Sequence, residues 1–166
     1  MPPVEIFLSY AHEDEDLMNS VRRQLIVYER EGVIVKWHDR EILPGEEWEG
    51  IIDDRINDAK IILLFLSSHF IESRYCYATE MSVALDRHAT GEAVVIPIIL
   101  RPCAWQKSPL GKIQALPVDG RPLSESRNRE RVALNIAEGI IKVAERLTGD
   151  ADGKHGEARK DAVKKK

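Results

Sequence analysis

A run of six apolar residues, from Ile61 to Leu66, limits the folds open to this chain more than any other segment. It reads IILLFL directly after Lys60, without the apolar–polar alternation of a strand that has one wet face. A strand that is apolar at every position is typical of the centre of a parallel sheet, where helices cover both faces. The run therefore predicts a central strand that is buried on both sides.

Strand and helix patterns alternate along the chain on either side of this run. The further strands are predicted at residues 6–8, 33–37, 93–99 and, weakly, 116–118. The helices have apolar residues at helical spacing and are predicted at 17–28, 48–56, 73–88, with Ser73 as the cap, and 132–147. Such alternation is typical of an α/β fold, and we predict a flavodoxin-like three-layer sandwich with a five-stranded parallel sheet and helices on both faces.

The size and charge of the chain suit one domain and argue against some partners. A chain of 166 residues can bury one substantial core, which we place at residues 1–148. Helical periodicity is lost from Gly149 onward, and we predict a disordered basic tail at 149–166. Residues 154–166 hold six Lys or Arg against two Asp or Glu, which leaves the rest with 18 basic and 26 acidic residues. That net charge of −8 argues against nucleic-acid binding.

The cysteines and the N-terminus bear on location. Cys76 and Cys103 show neither metal-ligand spacing nor a disulfide framework, which fits a reducing cytosol. Residues 1–3 are not followed by the basic region and long apolar run of a signal peptide or membrane span. We therefore expect a cytoplasmic domain with no metal, no membrane contact and no bound cofactor.

The exit of the first strand excludes several chemistries of this fold class. Four acids, Glu13 to Asp16, stand where a phosphate-cradling glycine loop would lie, which argues against flavin and dinucleotide sites. The third strand ends in Ser67 rather than the aspartate of a phosphoacceptor, and no nucleophile elbow occurs. His12 with the following acids could suggest a metal cluster, but acids at the positive end of a helix dipole are the commoner arrangement.

Four short motifs in order, between about residues 4 and 147, resemble those of TIR (Toll/interleukin-1 receptor) domains of bacterial type. Ile6–Tyr10 is similar to the first-strand box, and Trp37–Asp39 with the loop to Trp48 is similar to the second strand and BB loop. Leu63–Ser67 with Tyr75–Glu80 resembles the third strand and the helix that follows it, and Pro97–Ile99 resembles the end of the fourth strand. The family implies two kinds of function. Some members are scaffolds that assemble through TIR–TIR contacts, and others are NAD⁺ glycohydrolases.

The resemblance also implies a catalytic residue. Enzymatic members carry a glutamate on the helix after the third strand, usually as Trp-x-x-x-Glu, and this chain has Cys76-x-x-x-Glu80. Ordinary glycoside cleavage needs two carboxylates because the leaving group must be protonated. Nicotinamide leaves NAD⁺ as a neutral ring, so one carboxylate that stabilises the oxocarbenium-like ribose can suffice. Glu80 is therefore the predicted catalytic carboxylate, and the alternative for it is an ordinary solvent-facing helical glutamate.

The predicted substrate pocket lies at the carboxyl edge of the sheet, around Glu80. The residues predicted to line it are Tyr10, Asp39, Leu43, Gly45, Trp48 and Cys76. Trp48 could equally anchor its helix, Tyr10 and Asp39 could merely fix turns, and Gly45 would let the loop close over a ligand. Two departures from enzymatic relatives predict weak turnover by an isolated subunit. Cys76 replaces the tryptophan, and Ala11 and His12 stand where those relatives place cations.

The sequence thus predicts a TIR-domain NAD⁺ glycohydrolase that acts in signalling or defence. It would release nicotinamide and form ADP-ribose or a cyclic isomer, with NAD⁺ as substrate and other TIR domains as homo-oligomeric partners that activate it. The alternative is a non-catalytic TIR scaffold that uses the Asp39–Trp48 loop for homotypic contacts. A base-exchange variant is a third possibility, which only product analysis would identify.

Overall fold

A computed structural model of the protein describes residues 2–38 and 54–164, with side chains described except at 74, 75 and from 150 onward. Its centre is a parallel sheet. The strands are β1 (Val4–Ser9), β2 (Ile34–Trp37), β3 (Ile61–Leu66) and β4 (Val94–Ile99), in the order β2-β1-β3-β4. Every residue of β3 is buried, as the apolar run predicts. The predicted α/β fold with a parallel sheet is confirmed.

The predicted fifth strand is wrong for the described residues, in which the sheet has four strands. Near 116–118 the chain makes only an isolated parallel bridge between Leu116 and Ile98. Leu116 N–H donates to the Pro97 carbonyl (2.9 Å) and its own carbonyl accepts from Ile99 N–H (2.8 Å). Pro117 follows and has no N–H, so the ladder cannot continue through it.

Helices cover both faces of the sheet. They are α1 (Glu15–Arg30), α2 (residues 54–58), α3 (Ser68–Glu72), a π-helical turn (Arg74–Glu80), α4 (Met81–Ala89) and α5 (Arg129–Lys164), with short 3₁₀ turns between. The first hydrophobic cluster packs α1 and α5 against one face of the sheet through Val21, Leu25 and Ile140. The second packs α2, α3 and α4 against the other face through Ile56, Phe70 and Ala84. The three-layer sandwich follows from these two clusters.

Two helical segments differ from their predicted form. The single helix predicted at 73–88 is a π-helical turn followed by α4, although Ser73 caps it as predicted by accepting from Cys76 N–H (3.2 Å). The helical backbone of α5 continues to Lys164, through a stretch where we expected disorder. That stretch includes three glycines and three aspartates, which are poor helix formers, so helix propensity does not account for this continuation. The domain boundary at residue 148 stays a prediction.

The C-terminal end of α4 holds two neighbouring elements in place. The buried Arg87 guanidinium donates to the carbonyls of Ile56 (2.5 Å) and Ala59 (2.6 Å), which end α2. A cation is favourable at a helix C-terminus because it meets the negative end of the dipole. His88 Nδ1 accepts from the backbone N–H of the buried Val95 in β4 (3.1 Å). The His88 ring thus satisfies a backbone donor on the edge strand.

We expect His88→Ala to lower the free energy of unfolding by about 1–3 kcal/mol, because a buried N–H group loses its acceptor. His88→Asn carries an oxygen at the position of Nδ1 and should recover much of that loss. Urea unfolding followed by circular dichroism measures both variants. An Asn variant as unstable as the Ala variant would show that the ring contributes by packing and not by its hydrogen bond.

Candidate functional site

Glu80 lies at the carboxyl end of β1, with its side chain almost wholly removed from solvent. The Ser9 Oγ donates a hydrogen bond to Glu80 Oε2, and the two residues are 1% and 5% exposed. Ser9 is the last residue of β1 and pairs with Leu64 of the central strand. An ionised carboxylate only accepts hydrogen bonds, so the serine hydroxyl is the donor. The predicted surface alternative for Glu80 is excluded by its burial.

The π-helical turn brings Cys76 and Glu80 to the same strand end. The Cys76 thiol contacts the backbone carbonyl of Tyr10 (3.5 Å), one residue beyond Ser9. The backbone N–H of Met81 bonds to the Cys76 carbonyl, which is the i→i+5 pattern of a π turn. Such turns occur frequently at functional sites because they displace side chains from the α-helical register. Both predicted residues therefore meet β1, through a π turn and not the predicted α-helix.

The ring of Tyr10 lies among aromatic neighbours on the first hydrophobic cluster. It is 5% exposed and makes edge contacts with the rings of His12 (6.3 Å between centroids) and His38 (6.1 Å). On the opposite face of the sheet, in the second hydrophobic cluster, Trp37 stacks on Phe7 at 5.4 Å. Aromatic rings therefore pack on both faces of the sheet near the end of β1.

The structure brings together three of the seven predicted site residues: Glu80, Cys76 and Tyr10. Ser9 joins them; it lies in the Ile6–Tyr10 motif but was not among the predicted site residues. The other predicted residues, Asp39, Leu43, Gly45 and Trp48, lie outside the described residues. Substrate binding by any of these residues stays a prediction. Trp105 packs against the second hydrophobic cluster.

A second buried carboxylate lies at the same edge of the sheet, and the sequence reasoning treated it only as part of a helix start. Asp14 is fully buried, accepts from the Ser67 hydroxyl and from Arg101 Nε (2.8 Å), and makes no capping bond to α1. Ser67 also accepts from Phe70 N–H (3.0 Å), which caps α3. Asp14 thus connects the exits of β1, β3 and β4. Within residues 2–38 and 54–164 we find no cluster of three or more metal-ligating side chains.

A cleft of about 300 Å³ opens in the segment after β4, away from the predicted residues. Its lining comes from Trp105 and from residues between Gly111 and Gly120, including Lys112 and Asp119. None of the three described residues named as site residues lines it. We therefore base the candidate site on the Ser9–Glu80 contact and not on this cleft.

The comparisons with known proteins identify the family. The family model described as TIR domain matches residues 6–133, so the chain belongs to the TIR domain family. The chain is 46% identical over 146 residues to the uncharacterized protein y4lF of Sinorhizobium fredii, covering 88% of this chain and 45% of that protein. It therefore spans less than half the length of that relative.

A solved structure supports the same family. The crystal structure of the TIR domain of the Toll-related receptor TRR-2 from Hydra magnipapillata is 25% identical to this chain, with a TM-score of 0.52. The similarity covers 67% of this chain and 81% of that domain. No helix in the described part of the chain is both long and apolar enough to cross a membrane.

Cys103 follows β4 close to Asp14, and its surroundings suppress its ionisation. Burial raises the pKa of the Cys103 thiol above its usual value, and the negative charge of Asp14 raises it further. A hydrogen bond from the Trp105 backbone acts in the opposite direction and is outweighed. A raised pKa keeps the group as a thiol at neutral pH, and the thiolate is the reactive form.

We expect Cys103 to react slowly with iodoacetamide at pH 7–8, and its rate to keep rising at pH values where the rate of an exposed thiol levels off. Asp14→Asn should move this profile to lower pH, but only in part, because burial is the larger cause. Asp16→Asn, an exposed acid in the same helix, is the matched control and should leave the profile unchanged. Peptide mapping by mass spectrometry separates Cys103 from Cys76. A midpoint at or below that of a free thiol would contradict this assignment.

Proposed function

We propose that this TIR domain is an NAD⁺ glycohydrolase in which Glu80 is the catalytic carboxylate. The bond between the nicotinamide nitrogen and C1 of the ribose breaks, and its electron pair goes to the pyridinium ring, which leaves as neutral nicotinamide. Water, or a nucleophilic atom elsewhere in the substrate, then adds at C1 and loses a proton. The products are nicotinamide and either ADP-ribose or a cyclic isomer.

The observation that carries the proposal is a buried glutamate carboxylate at the carboxyl edge of a parallel sheet. In open α/β sheets ligands bind beyond the carboxyl ends of the strands. Glu80 is 5% exposed there, and its carboxylate faces the end of β1 through Ser9. Charge that develops on the ribose is stabilised most by a carboxylate from which water is excluded, since screening is then weakest.

The departure of a neutral ring explains why one carboxylate serves. A general acid is needed when the leaving group would otherwise depart as an alkoxide. Nicotinamide carries its positive charge before cleavage and loses it on leaving, so the positive charge passes to the sugar. Glu80 would stabilise that charge and hold a ribose hydroxyl. In this proposal the pocket would also be lined by Asp39, Leu43, Gly45 and Trp48, as the sequence predicts.

Self-association is the proposed means of activation, within a role in cytoplasmic signalling or defence. The chain spans 45% of its Sinorhizobium fredii relative, so a longer protein could supply a sensing segment. Concentrating TIR domains would then complete the pocket between neighbouring copies. This predicts a rate of nicotinamide release per molecule that rises with protein concentration.

The test is incubation of the chain with NAD⁺ over a range of protein concentrations, with and without a crowding agent, with nicotinamide followed by chromatography. We expect Glu80→Gln to lower the rate by about a hundredfold or more, since removal of one electrostatic stabiliser has this effect in other enzymes. Gln keeps a carbonyl oxygen that can accept from Ser9, so the fold should persist. Circular dichroism and the melting temperature verify this.

Glu72→Gln is the matched control, because Glu72 lies exposed at the end of α3, eight positions before Glu80. Its rate should equal that of the wild type. Equal rates for wild type and Glu80→Gln would refute the role of Glu80. Release of no nicotinamide by the wild type at any concentration would refute the glycohydrolase and favour the scaffold, whose assembly light scattering would then detect.

A further inference from the structure

In the hydrogen bond between Ser9 and Glu80, the donor is Ser9, which the sheet holds in place, and this assigns a role to Ser9. We propose that Ser9 is the positioning residue of the site: its hydroxyl holds Oε2 of Glu80 and so fixes the orientation of the carboxylate toward the ribose. This inference rests on the proposed cleavage of NAD⁺. Ser9 lies in the first-strand box Ile6–Tyr10, but neither that resemblance nor the Cys76-x-x-x-Glu80 motif assigns it a role.

Ser9 is rigid because of its place in the sheet. β1 lies between β2 and β3, and Ser9 itself is in register with Leu64 of β3. The Cβ of Ser9 points to the same face of the sheet as Phe7, two positions before it, since alternate strand residues share a face. With 1% exposure and a backbone paired with β3, Ser9 cannot move without disturbing the centre of the sheet.

Glu80, in contrast, comes from a backbone segment with an uncommon conformation. It is the last residue of the π-helical turn, which also reaches the end of β1 through the contact between the Cys76 thiol and the Tyr10 carbonyl. A glutamate side chain has three rotatable bonds, and ordering it costs conformational entropy. The Ser9 hydroxyl provides a fixed donor on the sheet toward which the side chain is directed, so this cost is met before substrate arrives.

Two physical consequences follow for catalysis. A buried charge is stabilised by each hydrogen bond to it, so removal of the Ser9 donor would weaken the hold on Oε2 and let the carboxylate turn away from its place. Such a movement takes negative charge away from the place where the ribose becomes positive. Because catalysis depends on interactions that strengthen in the transition state, the loss should appear mainly in kcat and little in the KM for NAD⁺.

The chain contains a matched serine at the end of the neighbouring strand. Ser67 directly follows β3, is also fully buried, and donates to the buried carboxylate of Asp14 as Ser9 donates to Glu80. Asp14 also accepts from Arg101 and connects the exits of the strands, which is a structural role. Ser67→Ala thus removes the same kind of bond from the same edge without touching Glu80.

The experiment compares Ser9→Ala, Ser9→Cys and Ser67→Ala with the wild type in steady-state NAD⁺ cleavage. We expect kcat of Ser9→Ala to fall on the order of tenfold to a hundredfold, as small misplacements of reacting groups do. Its KM should stay within about twofold, because substrate binding is little affected. Ser9→Cys keeps a weak donor and should lie between wild type and Ser9→Ala. Ser67→Ala should keep the wild-type kcat, even where its melting temperature falls.

A second measurement needs no activity. Glutamate labelled with ¹³C at the carboxyl carbon reports each side chain by NMR, and the signal that disappears in Glu80→Gln is that of Glu80. Ser9→Ala should move this signal, because the carboxylate loses a charge-assisted hydrogen bond, whereas Ser67→Ala should not. This measurement stands even if the wild type proves inactive.

The outcomes separate the two proposals. A Ser9→Ala variant with wild-type kcat overturns the positioning role and leaves the glycohydrolase intact. An equal fall in kcat for Ser9→Ala and Ser67→Ala also overturns it, since general loosening of the sheet edge would then be the cause. If the wild type is inactive, the proposed function fails, and an unmoved Glu80 signal in Ser9→Ala overturns the contact itself.

Discussion

Burial of β3 on both faces is the constraint on which the rest of the structure depends. All six residues from Ile61 to Leu66 are buried, and helices with apolar faces are needed on both sides of the sheet to cover them. The crossovers of such a sheet bring successive strand exits to one edge. Polar groups are expelled from the two faces and collect at that edge, where the carboxylates of Glu80 and Asp14 lie.

The two carboxylates at this edge are similar in burial and different in consequence. Each accepts from a serine at the end of a central strand, since a buried charge is stable only when its oxygens are hydrogen-bonded. Asp14 also pairs with Arg101, so its charge is compensated and serves to connect the strand exits. Glu80 reaches Ser9 from a π-helical turn, a backbone form that costs regular hydrogen bonding and is frequent at functional sites. The π turn is a reason to propose chemistry at Glu80, and the pairing with Arg101 is the reason to assign Asp14 a structural role.

The helix that follows the π turn is fixed by polar groups at its far end, near the amino ends of β3 and β4. Arg87 caps the end of α2 and His88 satisfies an amide of β4, and both residues belong to the helix that begins directly after Glu80. The π turn is thus bounded by Ser73, which caps it, and by α4, which is fixed to the sheet. Preorganisation of this kind is what an electrostatic contribution to catalysis requires, because no reorganisation is then needed as charge develops.

The sequence by itself determined the architecture, because hydrophobic periodicity and burial are two expressions of the same physical requirement. It predicted the central strand, the parallel sheet and the cap at Ser73, and it pointed to Glu80 through the family register, a role that stays a prediction. It failed at residues 116–118, where a proline ended the ladder, and in the form of the helix after Ser73, since a π turn has no sequence period of its own. Only the tertiary structure decided that Ser9 meets Glu80 and Asp14 meets Ser67. These partners are 71 and 53 positions apart, and local pattern carries no information about pairs that only the packing of strands and helices brings together.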